Sequence, residues 1–469
     1  MKEGKIEPRT LSGFMELMPK EQIQFDRIIE TLRHIYGLYG FYPLDTPMLE
    51  SSEVLLAKAG GETEKQVYRF SKGDTDITMR FDLTVPLAKF VAKNYGRLTF
   101  PFKRYQIGKV YRGEKSQKGR FREFYQSDID IIGDGELSVI NDAEIPVIIY
   151  DVFTHLGLRD FTIRINNRRV LSGFFHMLGL EDEAAGIMRA IDKIEKIPRE
   201  KIIKELEELG IPAEKCAKIL DFVGIKGRSS EIIEQLKGLC ENNEGEMFSE
   251  GVEQLALVVK YIGAFGVPEE NYKIDLSIAR GLDYYTGTVY ETTFNRHPEI
   301  GSICSGGRYD NLAGFYTDKK LPGVGISIGL TRLFYILNEM EYLNEEGAAP
   351  ADVLIIPMTE DLSHAVGVSA RLREQGVKCQ IYFEKKKFKA KISYADKLST
   401  PFAFFLGEDE IAKNEVSFKN MRTGEQVSAP LDDAVSAVKG SLSQNGKRTV
   451  IDTEKTTRAD ERSGGAYGN

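Results

Sequence analysis

The order of extended and helical segments along the chain constrains its fold more than any other feature. Alternating apolar and polar residues at 77–83, 110–114, 124–132 and 161–165 mark extended segments that follow one another closely, with a helix at 139–156. Strands joined by short connections, with sparse helices between them, favour an antiparallel sheet over repeated βαβ units. The first part of the chain, residues 1–168, is therefore predicted to begin a mainly antiparallel α+β domain.

Two changes of pattern divide the rest of the chain. Helical periodicity dominates residues 169–263 and strand signals return over 264–345, so a helical module is predicted as an insertion into the sheet domain. Over residues 346–437, strands at 352–356, 378–383 and 401–406 alternate with helices at 362–375 and 388–398, which is typical of a small parallel α/β domain. The polar residues 438–469 are predicted to form a disordered tail.

Composition narrows the environment and the classes of site. The four cysteines and five histidines are scattered without a C-x-x-C pair, which argues against disulfides and a fixed metal site and favours a cytoplasmic protein. No apolar run approaches the roughly 20 residues that cross a bilayer, so no membrane partner is expected. The net charge of −8 excludes a uniformly basic nucleic-acid coat but is compatible with a local basic patch for RNA.

Two glycine-containing segments come close to nucleotide-binding motifs without matching them. Residues 108–116, GKVYRGEKS, carry Glu114 where a Walker A sequence needs a lysine, and an acid there would repel phosphates. Gly323, Gly325 and Gly329 are one residue off a dinucleotide fingerprint and have no βαβ unit around them. Neither a P-loop nor a Rossmann site is expected.

The segment YRGEKSQKGRFREF, which begins at Tyr111, predicts two strands joined by a polar loop. Such a hairpin would arrange Arg112, Glu114, Arg120 and Phe124 around one ligand. Guanidinium groups bind phosphate oxygens, a carboxylate can accept from an exocyclic amine, and an aromatic ring can stack on a purine. The alternative is a charged hairpin that simply faces solvent.

Two predicted strands each carry three polar side chains on one face. These are Gln126, Asp128 and Asp130 on the first strand, and Arg80, Asp82 and Thr84 on the second. Carboxylates in apolar neighbourhoods suit a cationic or N–H-rich ligand, unless both faces point to water.

Three further segments offer ligand-binding groups. Residues 279–286, ARGLDYYT, contain the tandem pair Tyr284 and Tyr285, and residues 305–310, SGGRYD, contain a glycine pair that lets backbone approach a ligand closely. Residues 323–333, GVGISIGLTRL, lead from a strand into a helix and place Arg332 near the helix start, where an anion is favoured.

Together these motifs resemble those of the histidyl-tRNA synthetase family. YRGEKSQKGRFREF resembles class II synthetase motif 2, GVGISIGLTRL resembles motif 3, and the helix at 22–39 with the extended residues 41–50 and Pro47 resembles motif 1. RGLDYYTGTVYE and SGGRYD resemble two signatures of the histidine enzyme, whereas the HIGH-like and KMSKS-like signatures of class I synthetases are absent. The resemblance implies a class II synthetase fold that activates L-histidine with ATP and attaches it to tRNA(His).

The resemblance also implies a role for each matching residue. Arg112 and Arg280 would act at the α-phosphate, Glu114 and Phe124 would hold adenine, and Arg120 and Arg332 would hold the outer phosphates, with Mg²⁺ on the pyrophosphate. The histidine-binding residues would be Asp82 and Thr84 at the α-amino group and Gln126, Asp130, Tyr284 and Tyr285 around the side chain. At positions 82 and 130 some relatives carry Glu, so the shorter Asp is expected to alter affinity rather than chemistry.

The remaining implications concern partners. The α/β domain resembles the family's anticodon-binding domain and carries clustered lysines, which are Lys385, Lys386, Lys387, Lys389 and Lys391. The alternative interpretation is a solvated helix face. By analogy the helical insertion would contact the tRNA acceptor arm, and a homodimer would form through motif 1. Two rivals remain, a synthetase-like regulatory subunit of ATP phosphoribosyltransferase and a non-catalytic RNA-binding protein.

Overall fold

The computed structural model describes residues 6–57, 65–115, 119–241, 245–279, 285–310, 312–344, 348–445 and 449–452. Contacts divide the chain into two compact units. The first comprises Met1–Met15 and Thr31–Met340, and the second comprises Glu16–Glu30 and Glu341–Asn469. The helix predicted at 22–39 runs from Pro19 to Leu38 and is divided between the two units.

The first unit is organised around a large mixed sheet. Its described strands are β1 Tyr42–Pro43, β2 Leu49–Ser51, β3 Arg69–Lys72, β4 Thr75–Met79, β5 Phe102–Tyr111, β6 Glu123–Ile132, β7 Phe161–Asn167, β8 Tyr272–Ile274, β9 Thr288–Phe294, β10 Cys304–Tyr309 and β11 Gly323–Gly329. Among the described residues, eight of these pair in the order β1-β5-β6-β11-β10-β9-β7-β8, and β2-β4-β3 form a separate small sheet. Pairing in the large sheet is parallel at β1/β5 and β7/β8 and antiparallel between the other neighbours, which confirms the predicted mainly antiparallel sheet.

The longest described strands of this sheet are β5 and β6, which pair as a hairpin. Phe102 pairs with Ile132 at one end and Tyr111 pairs with Glu123 at the other, so the two strands stay in register over their whole length. Ile129 and Ile131 are fully buried on one side of β6. Because successive side chains point to opposite faces, Gln126, Asp128 and Asp130 are presented on the other side.

The helix Ile140–Leu156 supports the sheet beside β11 and ends at Gly157. Its apolar side chains Ile145, Ile148, Ile149 and Val152 are buried. Gly157 has a φ of 99°, a left-handed conformation in which a side chain would be strained, so the glycine lets the chain turn back towards β7.

The prediction of a polar strand around residues 80–84 is wrong. Strand β4 ends at Met79, and Thr84–Asn94 form a helix with Pro86 in its first turn, where a proline costs no hydrogen bond. The Asp82 Oδ1 accepts from the backbone N–H of Val85 at 3.0 Å and so satisfies one free donor of the helix start. Arg80 does not belong with the predicted polar side chains Asp82 and Thr84, because its buried guanidinium donates to the carbonyl of Lys109 at 2.8 Å.

The predicted helical region between β7 and β8 is present. It contains the helices Arg168–Met177, Ala184–Ile191, Arg199–Glu208, Ala213–Val223, Ser229–Glu241 and Glu246–Ala264. The first and last of these cross at glycines: a Cβ on Gly173 would lie 2.6 Å from the backbone of Phe248, and one on Gly251 would lie 2.7 Å from the backbone of Val170. The two helices therefore approach more closely than larger residues would allow.

The second unit contains its own sheet, with described strands in the order β13-β12-β14-β15-β16. The bounds are β12 Val353–Pro357, β13 Cys379–Ile381, β14 Phe402–Leu406, β15 Glu415–Asn420 and β16 Gln426–Pro430, and the helices are Ser363–Glu374, Phe388–Leu398, Glu408–Lys413 and Leu431–Asn445. The three predicted strands pair in parallel, whereas β15 and β16 add an antiparallel hairpin that the sequence pattern did not predict.

The predicted start of the tail, residue 438, lies inside the last helix of this unit. Val438 is fully buried with Phe404 in the core, so residues 438–445 are helical rather than part of a tail. Ile451 is also fully buried and bridges to Leu343, while residues 453–469 lie outside the described residues. None of the helices in the described ranges is long and apolar enough to cross a membrane.

Candidate active site

A cavity of about 490 Å³ opens on the face of the large sheet that carries the polar side chains of β6. Its lining includes all of the predicted site residues that the structure describes. These are Asp82, Thr84, Arg112, Glu114, Arg120, Phe124, Gln126, Asp130, Tyr285 and Arg332. Arg280 and Tyr284 lie outside the described residues. Side chains spread over 250 positions of the sequence thus meet at one place.

Glycines on β10 and β11 leave room for this cavity. Gly306 and Gly325 both line it. A Cβ on Gly325 would collide with the Asp130 carboxylate, and a Cβ on Gly306 would collide with the carbonyl oxygen of Gly325. The glycines therefore let the Asp130 carboxylate lie against β11 and let the backbones of β10 and β11 approach each other, where larger residues would not fit.

Asp130 is held by two partners at the cavity floor. Its Oδ2 lies 2.6 Å from Nη2 of Arg104, and its Oδ1 accepts from the Tyr309 hydroxyl at 2.9 Å. Burial raises the pKa of Asp130 to about 6, although the charge of Arg104 opposes the rise. The side chain of Arg104 is itself fully buried, so this ion pair is shielded from water.

Two more carboxylates face the same space. Burial raises the pKa of Asp82, while the backbone N–H of Val85 and the charge of Arg112 oppose that rise. Burial also raises the pKa of Asp128 to about 7, opposed by Arg104 and by a hydrogen bond from Ser327. Buried carboxylates in one cavity, with Arg104 as the buried guanidinium beside them in the described part of the chain, favour a ligand that brings positive charge or several N–H groups.

Arginines make the same cavity attractive to anions. Arg112 donates from Nε to the carbonyl of Phe81 at 3.0 Å, and its guanidinium lies 5.2 Å from the centre of the Phe124 ring. Burial lowers the pKa of Arg332, and the charge of Arg120 lowers it further, so these two cations lie near each other. Within the described ranges neither Arg112, Arg120 nor Arg332 has a carboxylate partner. A polyphosphate would neutralise this cluster.

The local structure explains how these arginines are positioned. Strand β5 ends at Tyr111, the backbone N–H of Arg112 donates to the carbonyl of Arg122 at 2.8 Å, and β6 begins at Glu123, which confirms the predicted strand–loop–strand arrangement. Arg332 is the third residue of the helix Leu330–Glu339, which directly follows β11 as predicted. The Thr331 hydroxyl accepts from the backbone N–H of Tyr125 at 2.8 Å and fixes the helix start to β6.

Arg104 was not among the site residues predicted from the sequence, and Tyr309 was given no role in the site. Arg104 lies on β5, where it pairs in register with Asp130 on β6. Only the pairing register between the strands places this basic residue beside an acidic one, and single-strand periodicity carries no such information. Tyr309 lies within the SGGRYD motif, and the same registration of β10 and β11 brings it to Asp130.

A mainly antiparallel sheet that carries an arginine cluster and a carboxylate pocket in one cavity defines the catalytic domain of a class II aminoacyl-tRNA synthetase. Comparison with known proteins makes the assignment specific. Residues 13–333 match the family model described as histidyl-tRNA synthetase, and residues 352–441 match the anticodon binding domain. The chain belongs to the histidyl-tRNA synthetase family.

Curated relatives extend over nearly the whole chain. It is 56% identical to a histidine–tRNA ligase of Clostridium tetani, with 94% of this chain and 100% of the relative covered. It is 46% identical to the histidine–tRNA ligase of Finegoldia magna, with 92% and 100% covered.

Solved structures agree on the fold. Histidyl-tRNA synthetase from Nostoc sp. PCC 7120 superposes with a TM-score of 0.87 at 42% identity, over 93% of this chain and 99% of that one. A protein from Bacillus halodurans, described as an ATP phosphoribosyltransferase regulatory subunit/histidyl-tRNA synthetase, superposes with a TM-score of 0.69 at 20% identity over 83% of this chain. At that identity the second likeness shows a shared fold alone.

Proposed function

We propose that the chain activates L-histidine with ATP, giving histidyl-adenylate and pyrophosphate, and then transfers histidine to the 3′ end of tRNA(His). The observation that carries this proposal is one cavity in which buried carboxylates meet arginines that have no carboxylate partner among the described residues. Such a cavity suits two substrates of opposite character, an N–H-rich amino acid and a polyphosphate.

The first chemical step brings two anions together. The carboxylate of histidine attacks the α-phosphorus of ATP in line with the departing pyrophosphate. We assign Arg112 and Arg280 to the α-phosphate, where fixed guanidinium groups lower the repulsion and stabilise charge in the transition state. The stacking of Arg112 near Phe124 and its bond to the Phe81 carbonyl restrict the guanidinium to one orientation.

The rest of the nucleotide is assigned to the hairpin and to the helix after β11. Phe124 stacks on adenine and Glu114 accepts from its exocyclic amine, while Arg120 and Arg332 bind the outer phosphates. Mg²⁺ fits this site as an ion that enters with the nucleotide, because Glu291 lines the cavity and Mg²⁺ is usually held through substrate phosphates. When bound, the ion supplies Lewis-acid stabilisation to the pyrophosphate.

We assign the histidine substrate to the part of the cavity that is lined by buried carboxylates. Asp82 and Thr84, at the start of the helix Thr84–Asn94, receive the α-ammonium group. The side-chain pocket consists of Gln126, Asp130 and Tyr285, with Tyr284 adjacent. A buried site that bonds ring N–H groups rejects analogues lacking them by about 10⁴-fold or more, because its polar groups would be left unpaired.

The second unit is assigned to the anticodon of the tRNA. Lys385, Lys386, Lys387 and Lys389 are exposed, and beside them the aromatic residues Phe383 and Phe388 are 62% and 50% exposed. Lysines that contact phosphates and aromatic rings that stack on unpaired bases are the usual elements of single-strand recognition. The fifth lysine of this group, Lys391, donates to the Pro357 carbonyl at 2.7 Å and is assigned to folding instead.

We further propose that two copies of the chain associate through motif 1 and that the protein works in the cytoplasm. Apolar side chains on and beside β1–β3 are exposed, namely Leu38, Tyr42, Met48, Leu49 and Phe70. A second copy burying them would form an isologous interface. Leu49→Glu should shift the protein from dimer to monomer in sedimentation velocity, and an unchanged dimer would place the interface elsewhere.

We also propose a function for each domain of the chain. We assign residues 1–168 and 264–345 to catalysis, 169–263 to an insertion that contacts the acceptor arm, and 346–437 to anticodon binding. The rival role as a regulatory subunit that binds histidine without charging tRNA is disfavoured by the match of residues 352–441 to the anticodon binding domain.

The test of this proposal is ATP–pyrophosphate exchange with each of the twenty amino acids in turn. We expect only L-histidine to support exchange. Exchange that depends on another amino acid would overturn the substrate assignment, and histidine binding without any exchange would support the regulatory role.

A further inference from the structure

The carboxylates in the cavity differ in how many of their oxygen atoms have a partner in the protein. Asp82 accepts from the Val85 backbone, and both oxygens of Asp130 have partners, Arg104 on one and Tyr309 on the other. Asp128 lies on β6, two residues before Asp130, and is 2% exposed. Its Oδ1 is buried and has no hydrogen-bond partner within the described ranges of the chain.

A buried acceptor without a donor destabilises the protein unless a ligand supplies the hydrogen bond. The other buried acceptor in this lining without a partner among the described residues is Oε1 of Gln126, the neighbouring residue on the same face. Gln126 donates from Nε2 to the Ser327 hydroxyl at 2.8 Å, which turns its oxygen to the remaining space. These vacant acceptors are expected to meet N–H groups of the substrate.

The spacing of Asp128 and Asp130 suits an imidazole ring. Residues two apart on one strand face are separated by about 6.6 Å along the strand. The two ring N–H bonds of a protonated imidazole point in diverging directions, and at normal hydrogen-bond lengths their acceptors lie about 7 Å apart. Asp130 and Asp128 pair with Gly325 and Ser327 of β11, so a ring that lies over β6 between the two carboxylates can reach one on each side.

We propose that Asp128 is a specificity-determining residue, which accepts one ring N–H of histidine while Asp130 accepts the other. This inference rests on the proposed function and adds a residue to its histidine site. The ring is bound as an imidazolium, and its charge balances a carboxylate that Arg104 leaves unneutralised. Direct contact with the ring makes Asp128 a determinant of substrate choice rather than of phosphate chemistry.

The test compares Asp128→Asn with the wild-type protein in ATP–pyrophosphate exchange. The substitution keeps the side-chain volume but removes the negative charge that pairs with the imidazolium. We expect the KM for histidine to rise at least tenfold, with the KM for ATP unchanged. The melting temperature should stay the same or rise, because the buried vacant charge is removed.

Asp130→Asn is the matched control on the same strand face. It should also raise the KM for histidine, but it should lower the melting temperature, because Arg104 loses its buried partner. An Asp128→Asn variant that loses stability like the control would assign Asp128 to the fold and overturn the inference. Should Asp128→Asn not fold, Asp128→Ser tested by calorimetric titration with histidine carries the same expectation of at least tenfold weaker binding.

A competition assay with a histidine analogue that lacks the α-amino group identifies the contact. We expect Asp128→Asn to weaken binding of imidazole-propionate as much as binding of histidine. If imidazole-propionate binds the variant as well as the wild type, Asp128 contacts the ammonium group and the inference is wrong. Failure of the proposed function gives a different result, which is wild-type protein without histidine-dependent exchange.

Discussion

Replacing Arg104 by methionine tests the buried charge network that holds the pocket together. Arg104 is fully buried, its Nη2 lies 2.6 Å from Asp130, and the same nitrogen lies 3.4 Å from the carbonyl oxygen of Leu83. Methionine has a similar length and no charge, so Arg104→Met removes the guanidinium while leaving little empty volume. The Asp130 carboxylate then remains in the interior with only the Tyr309 hydroxyl as a partner.

The expected loss of stability follows from this geometry. Removing one partner of a buried ion pair costs about 3–5 kcal/mol. Part of this cost is avoided, because the pKa of Asp130 is already about 6 with Arg104 in place and rises further without it, so the side chain takes up a proton near pH 7. The net cost is therefore expected near the lower end of this range, about 3 kcal/mol, which for a unit of this size lowers the melting temperature by roughly 4–5 °C.

Calorimetry and exchange kinetics measure the two consequences separately. The melting temperature should fall more at pH 8 than at pH 6, since proton uptake by Asp130 costs more at the higher pH. The KM for histidine should rise, with the KM for ATP little changed. The double variant Arg104→Met with Asp130→Asn should be more stable than the sum of the single losses predicts, by more than about 1 kcal/mol. Additive losses, or a melting temperature that does not change, would refute the assignment of a coupled pair.

Three other predictions concern catalysis, tRNA and pH. Arg280→Ala should leave histidine binding largely intact while lowering ATP–pyrophosphate exchange by orders of magnitude, and wild-type exchange would remove Arg280 from the mechanism. Changing Lys385, Lys387 and Lys389 together to Glu should reduce tRNA charging at least tenfold without affecting exchange, and undiminished charging would mean that this face does not read the tRNA. Because burial raises the pKa of Asp128 to about 7, the stability that its protonation supplies is complete below about pH 4 and is lost as the pH rises through 7. Asp128→Asn should consequently gain in melting temperature relative to the wild type between pH 5 and pH 8, and a constant difference would contradict the raised pKa.

Local sequence patterns predicted the secondary structure correctly where a segment has a strong periodic pattern of apolar residues. Strand β6, the step from β11 into the helix Leu330–Glu339, and the helix Phe388–Leu398 follow predicted segments closely. Strand β5 does not, because it begins at Phe102, well before the predicted segment 110–114, and its alternate residues include Arg104 and Gln106. Where the prediction succeeded, apolar residues recur at the strand or helix period, as Val324, Ile326 and Ile328 do on β11. Turn or cap residues at the ends then limit where the element can stop.

Segments with mixed signals were predicted less well. Thr84–Asn94 begins with the β-branched residues Thr84 and Val85 followed by Pro86, a sequence that suggests an extended strand, yet it folds as a helix. Burial of Leu87, Ala88 and Val91 outweighs that local preference. The hairpin of β15 and β16 was missed for the opposite reason: its outer strand is mostly exposed and has little apolar alternation.

In the candidate site, too, residues that belong to a local motif could be predicted, and residues that depend on contacts between distant segments could not. Motif residues on one strand or loop, such as Arg112 and Asp130, could be found because their neighbours in sequence make a recognisable pattern. Arg104 could not, because its only signal is the partner that strand registration brings opposite it. The vacant oxygen of Asp128 is likewise a property of the folded neighbourhood, since it depends on which donors the surrounding strands have already used.

A crystal structure with a non-hydrolysable histidyl-adenylate analogue tests most directly whether one cavity holds both substrates. The ring nitrogens should lie within hydrogen-bond distance of Asp128 and Asp130, and the group that replaces the α-phosphate should contact Arg112. An analogue bound outside the cavity, or one whose ring lies beside the arginines and away from both carboxylates, would contradict the assignment.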